Sequence, residues 1–191
     1  MNFSQSDWIK FTGYLVSLIA SIFLCSFEIV AVDKIEITQP FAENLGYMQG
    51  GKPFDCPIIE ESGQTLTIDS LNGNVVVIML FTTWCPSCPV ALQRLATLAE
   101  NLRRRGVGNV KIIALNIGNE STDALKTHYK THGVQSLEVY RSVPPQAVGD
   151  IQGVPACLVF RTDGSPYWGY LGVADYASEK FLKFIEDLAK R

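Results

Sequence analysis

Charge is scarce in this chain: only 18% of its 191 residues are Asp, Glu, Lys or Arg, and two are His. No basic run exceeds Arg103-Arg104-Arg105, and 16 Lys+Arg stand against 19 Asp+Glu for a net charge of −3. The electrostatic footprint of a nucleic-acid binder is therefore missing. No segment repeats at the period of roughly 20–50 residues that marks a solenoid or propeller. Nine prolines and fifteen glycines, without period, fit neither collagen nor a low-complexity tract. Hydrophobic residues at 47% exclude intrinsic disorder, and the length suits one domain with a short attachment.

The attachment is at the front. Phe11 to Phe27 (FTGYLVSLIASIFLCSF) carries no charge, and apolar character resumes after Glu28 as Ile29-Val30-Ala31-Val32. As a helix, 17 uncharged residues reach about 26 Å, the short edge of a bilayer span. A buried core helix would show a polar face, and none is periodic here. The segment 1–32 is expected to be a signal anchor or signal peptide. Ala31 offers a small residue for cleavage but Ile29 a bulky one, which favours an uncleaved anchor. Cys25 lacks the small preceding residues of a lipidation site. Lys10 on the amino side predicts a cytoplasmic N-terminus and an exported domain. Residues 33–49 read as a linker, and Gly50-Gly51-Lys52-Pro53 opens a domain over 50–191.

Within that domain the periodicities alternate. Thr65–Ile68 alternates polar and apolar like a short strand. Val75–Phe81 is a continuous apolar run, as a fully buried strand requires. Pro89–Arg105 places Leu92, Leu95, Leu98, Ala99 and Leu102 on one helical stripe, with Gly106 as its stop. Val110–Leu115 is another strand. Ser121 caps a helix running to His132 and stopped by Gly133. Ser136–Tyr140 is a short strand. Ala156–Phe160 and Tyr167–Tyr170 form a hairpin across the Arg161–Gly164 turn. Asp175 is expected to cap a last helix carrying Phe181, Phe184, Ile185 and Leu188. The order predicts an α/β three-layer sandwich, with parallel strands early and an antiparallel hairpin late.

The chemistry lies in Trp84-Cys85-Pro86-Ser87-Cys88-Pro89. Two cysteines separated by two residues, at a strand–helix junction, can close a small disulfide that is made and broken reversibly. A thiol at a helix N-terminus is stabilised as thiolate by free N–H groups and the helix dipole. Cys85 is then both nucleophile and leaving group, and Cys88, one turn in, resolves the mixed disulfide. Pro86 suits the first helical position. Two other readings compete. A zinc site would need His128 and His132, but they lie on another helix at a spacing foreign to zinc fingers. A purely structural disulfide over so short a loop would constrain the unfolded chain little.

Trp84-Cys85-x-x-Cys88 after a buried strand, with Gly153-Val154-Pro155 before a later one, resembles the thioredoxin superfamily. Gly51–Asp55, Leu66–Asn74, the Gly164 turn and Gly172–Tyr176 are similar to the TlpA/ResA/CcmG-like membrane-anchored thiol–disulfide oxidoreductases. The likeness spans the whole domain. It implies a thioredoxin fold with a mixed central sheet. Cys85 would attack and Cys88 resolve, while Pro155 would be a cis-proline facing them. Val154 would offer its backbone to substrate; Trp84, Pro86 and Ser87 would border it. No metal or other cofactor is implied. The partners implied are exported protein thiols and disulfides and a membrane redox protein, at a bacterial inner membrane with the domain facing the periplasm or cell exterior. The same residues would also serve a disulfide-donating oxidase or isomerase. A non-catalytic copper-handling module is the remaining alternative, since soft thiolates suit Cu(I).

Two departures stand out. Thioredoxin keeps a buried carboxylate six residues before its first cysteine; here that position is Met79. CcmG-type proteins carry an acidic residue near the cis-proline; here Ala156 follows Pro155. Cys56 and Cys157 remain open between two small buried hydrophobes and a second disulfide, the latter suggested by an extra pair in some TlpA-like proteins. Cys157 has a third reading, as a modulator of the active site. His128, Tyr129 and His132 lack a nucleophile partner and read as surface or helix-packing residues.

Overall fold

The computed structural model describes residues 57–143 and 153–191. The segment 1–32, the linker 33–49, the entry Gly51–Asp55 and Cys56 lie outside the described residues.

Seven strands form one mixed sheet: β1 (Ile58–Glu60), β2 (Thr65–Leu66), β3 (Val75–Phe81), β4 (Val110–Asn116), β5 (Tyr140–Ser142), β6 (Ala156–Phe160) and β7 (Pro166–Leu171). They are arranged β2-β1-β5-β4-β3-β6-β7. Strand β3 runs parallel to β4 and antiparallel to β6; β4 and β5 are parallel, and the β6–β7 hairpin is antiparallel. All seven residues of β3 and all five of β6 are buried, so both faces of the sheet centre are covered.

The helices are α1 (Cys88–Arg104), α2 (Thr122–His132) and α3 (Glu179–Ala189). Helix α1 buries Leu92, Leu95, Leu98 and Leu102, and α3 buries Phe181, Leu182, Ile185 and Leu188. Phe184 packs against this core only in part. Each fully buried Leu, Ile or Phe contributes about 1.5–3 kcal/mol relative to exposure. Arg105 ties the two helices together through Glu179 at 2.6 Å and Glu186 at 3.2 Å. Helix α2 packs Tyr129 and His128 on Phe81, at ring-centroid distances of 6.0 and 6.2 Å. Its Ser121 cap accepts from Ala124 N–H at 3.3 Å, and Gly133 closes it in the left-handed conformation at φ 69°.

Three boundaries differ from the expectations, and one strand is not among them. The last helix is capped by Ser178, whose Oγ accepts from Phe181 N–H at 3.3 Å and donates to Asp175 O at 2.7 Å. Asp175 lies one turn too early, where Ser178 N–H bonds its carbonyl at 3.1 Å. Helix α1 begins at Cys88, so Pro86 occupies the preceding turn rather than the first helical position, and Pro89 takes the second. The fifth strand lies at Tyr140–Ser142 instead of Ser136–Tyr140, because Leu137 N–H is spent in a turn on Val134 O. Strand β1, which the periodicity does not announce, has three residues; it forms a short hairpin with β2 and pairs with the distant β5.

Candidate active site

Strand β3 ends at Phe81, where Ile117 N–H bonds Phe81 O at 3.0 Å as the last rung toward β4. The chain then turns through Thr82-Thr83-Trp84 into the cysteines. Cys85 N–H reaches Thr82 O at 3.4 Å and Cys88 N–H reaches Cys85 O at 3.3 Å. These two turns bring the Cα atoms of Cys85 and Cys88 within 5.4 Å, and the two sulfurs are joined as a disulfide. Cys85 is 3% exposed and Cys88 fully buried, whereas Trp84 is 74% exposed. The first cysteine is thus enclosed, preceding the helix by a tight turn, and the indole beside it is open to solvent.

The Val154–Pro155 peptide is cis and leads into β6. Val154 O lies 3.6 Å from Cys85 Sγ, and Ser87 Oγ lies 3.6 Å from the same sulfur. In the dithiol state the Cys85 thiol can donate to either oxygen. Pro155 O accepts from Gly172 N–H at 2.7 Å, and Gly172 O accepts from Tyr176 O–H at 2.8 Å. This chain of bonds fixes the loop facing the disulfide to the segment entering α3. Of the residues singled out by sequence, Cys88, Ser87 and Val154 converge on Cys85 Sγ, and Trp84 and Pro86 flank Cys85 in the chain.

Behind the disulfide the surroundings are apolar. Met79 is fully buried and pairs across the ladder with Cys157, which in turn pairs with Tyr170. Cys157 is a free thiol, and burial pushes its pKa up. Its suggested partner Cys56 lies outside the described residues. His128 and His132 sit side by side at 4.4 Å between ring centroids, on α2.

One contact escaped the sequence. Thr83 Oγ1 donates to Glu120 Oε1 across 37 residues of chain. Burial raises the Glu120 pKa, but the Thr83 hydroxyl, backbone N–H groups and Asn116 outweigh it and hold the carboxyl below its usual value. No spacing or periodicity links Thr83 to Glu120, because the contact exists only once β3 and β4 are paired.

Residues 51–141 match the AhpC/TSA family model. The match covers a little under half of the chain and marks a likeness to that family. Similar curated proteins are two named thiol:disulfide interchange protein DsbE. The one from Pseudomonas aeruginosa is 30% identical over 92 residues, covering 47% of each chain. The one from Allochromatium vinosum is 27% identical over 114 residues, covering 58% of this chain and 59% of its own. The chain thus spans about half the length of the curated relatives it matches. Among solved structures, a thiol:disulfide interchange protein of the thioredoxin family from Chlorobium tepidum superposes with TM-score 0.53 at 19% identity, covering 72% of this chain and 94% of its own. The thioredoxin domain of a Bacteroides vulgatus thiol–disulfide oxidoreductase gives 0.54 at 11% identity, covering 72% and 94%. At such identities these neighbours speak for the fold alone, and that fold is the thioredoxin fold.

Proposed function

We propose that this chain is a thiol–disulfide oxidoreductase that reduces exported protein disulfides from a membrane tether. The observation that carries the reading is the Cys85–Cys88 disulfide with Val154 O 3.6 Å from the leading sulfur. The names of the curated relatives support the same chemistry.

In the dithiol state Cys85 thiolate attacks one sulfur of the substrate disulfide and expels the other as thiolate, which takes a proton. Cys88 then loses its proton and attacks Cys85 Sγ, releasing the second substrate thiol. Two electrons and, through water, two protons pass to the substrate, leaving the Cys85–Cys88 disulfide. Trp84, Pro86 and Ser87 border the incoming chain, and Val154 with Pro155 offers it an extended backbone to pair with. A membrane redox partner restores the dithiol. The apolar segment within 1–32 serves as the anchor, residues 33–49 as the linker and 50–191 as the redox domain, facing the periplasm or cell exterior. Among the described residues no helix is long and apolar enough to cross a membrane; the N-terminal segment lies outside them.

The test is the reduction potential of Cys85–Cys88 in the full-length protein in mild detergent, equilibrated against dithiothreitol or glutathione buffers. A value near or below about −250 mV supports the reductase. A value near about −120 mV makes the protein a disulfide donor and overturns the direction proposed.

A further inference from the structure

We propose that Glu120 is a positioning residue for the disulfide: it holds the Thr82–Trp84 turn in the geometry that lets Cys85 and Cys88 close. The inference rests on the oxidoreductase reading above and concerns a residue outside the CxxC and the cis-proline loop.

The argument begins where the sheet ends. Backbone bonding between β3 and β4 stops at Ile117 N–H to Phe81 O. Beyond it the chain must still place Cys85 four residues on, and the bond made within the turn itself, Cys85 N–H to Thr82 O at 3.4 Å, is long. The next tie from this turn to the body of the protein is the Thr83 hydroxyl on Glu120 Oε1. Glu120 is well founded for that task. It lies between β4 and the Ser121 cap of α2, and the turn before it is closed by Asn116 Oδ1 accepting from Gly118 N–H at 3.0 Å. Asn116 itself is fully buried at the end of β4. The carboxylate therefore links the reactive turn to a capped helix and a central strand. Its acceptor is ionised, and charge-assisted hydrogen bonds are about twice as strong as neutral ones.

The consequence is for ring closure. A dithiol forms its disulfide in proportion to the effective concentration of one sulfur at the other, which depends on how far the turn is ordered beforehand. Cutting the tie leaves the sulfurs in place less of the time. The disulfide then becomes easier to reduce, while the thiols themselves are untouched.

The experiment equilibrates full-length protein with dithiothreitol buffers and counts free Cys85 and Cys88 by alkylation. Glu120→Ala is expected to lower the closure constant about tenfold, which is about 30 mV less negative. Glu120→Gln keeps an acceptor for Thr83 and is expected to remain within about twofold of the unchanged protein. Thr83→Val removes the hydroxyl donor with little change of shape and should shift closure in the same direction but by less than Glu120→Ala, which also loses the acceptor of the Thr83 backbone N–H; the double variant should go no further than Glu120→Ala. A Glu120→Ala potential equal to that of the unchanged protein overturns the proposal. So does a Glu120→Gln deficit as large as that of alanine, which would mean charge rather than tethering. If Glu120→Ala fails to fold, Thr83→Val carries the same comparison. Turnover of a protein disulfide is measured separately: its absence sinks the proposed function and leaves the closure constants standing.

Discussion

Met79 and Cys157 face each other across the β3–β6 ladder, and neither exposes any surface to solvent. The row continues to Ala114 on one side and Tyr170 on the other. A thioether and a neutral thiol thus occupy the region where thioredoxin keeps a carboxylate, and neither accepts a proton readily at neutral pH. Met79→Asp is expected to accelerate dithiol oxidation near pH 7 by supplying a base, at a stability cost of about 2 kcal/mol or more for burying a carboxyl. Stopped-flow oxidation by a small disulfide reads the rate; an unchanged rate counts against slow proton removal from Cys88.

Cys157 should be chemically silent. Burial raises its thiol pKa and closes access, so iodoacetamide on the reduced, native protein is expected to modify Cys85 and spare Cys157. In the denatured but unreduced protein Cys157 should alkylate, because it is free in the fold. Mass spectrometry of the modified peptides checks both. Cys157→Ala should cost about 1 kcal/mol and Cys157→Ser more, since a buried hydroxyl needs a partner.

Trp84 contributes surface rather than core. At 74% exposure its removal leaves packing intact, so Trp84→Ala should keep its unfolding midpoint within about 2 °C. Loss of an exposed aromatic anchor should lower kcat/KM for a protein disulfide about tenfold, while reaction with a small disulfide stays unchanged. A parallel loss on both substrates would place the indole in the chemistry instead.

His128 sets a pH response in stability. Burial lowers its pKa first and the His132 charge adds to this, against a weaker pull upward from Glu120. A folded pKa below the unfolded 6.5 means the unfolded chain binds more protons as pH falls. The contribution is therefore fully present above about pH 6.5 and declines below it. His128→Asn should flatten the urea-midpoint profile between about pH 7 and 5. Carboxylates with lowered pKa values titrate further down and are common to both proteins.

The two candidate caps of α3 can be told apart. Ser178→Ala is expected to cost about 1 kcal/mol, because Phe181 N–H loses its acceptor. Asp175→Ala should cost a few tenths at most, since Asp175 enters the cap only through its backbone carbonyl. Thermal unfolding of the pair decides it, and equal losses would return the cap to Asp175.

The sequence by itself determined the elements whose signals are local. The unbroken apolar run Val75–Phe81, the leucine stripe of α1 and the Ser121 and Gly133 caps each depend on neighbours within a few residues. So does the Cys85–Cys88 pair, whose closure needs only a turn. Tertiary structure decided what depends on partners far along the chain. Three residues become β1 only when β5, far along the chain, pairs with them beside the local β2, and Ser178 rather than Asp175 caps the helix whose Phe181 is buried in the core. Glu120 reaches Thr83 only after β3 and β4 have paired, since 37 intervening residues carry no periodic trace of that contact. Cys157 comes to rest against Met79 by the register of an antiparallel ladder, a choice made by burial of both faces of β6 rather than by any motif.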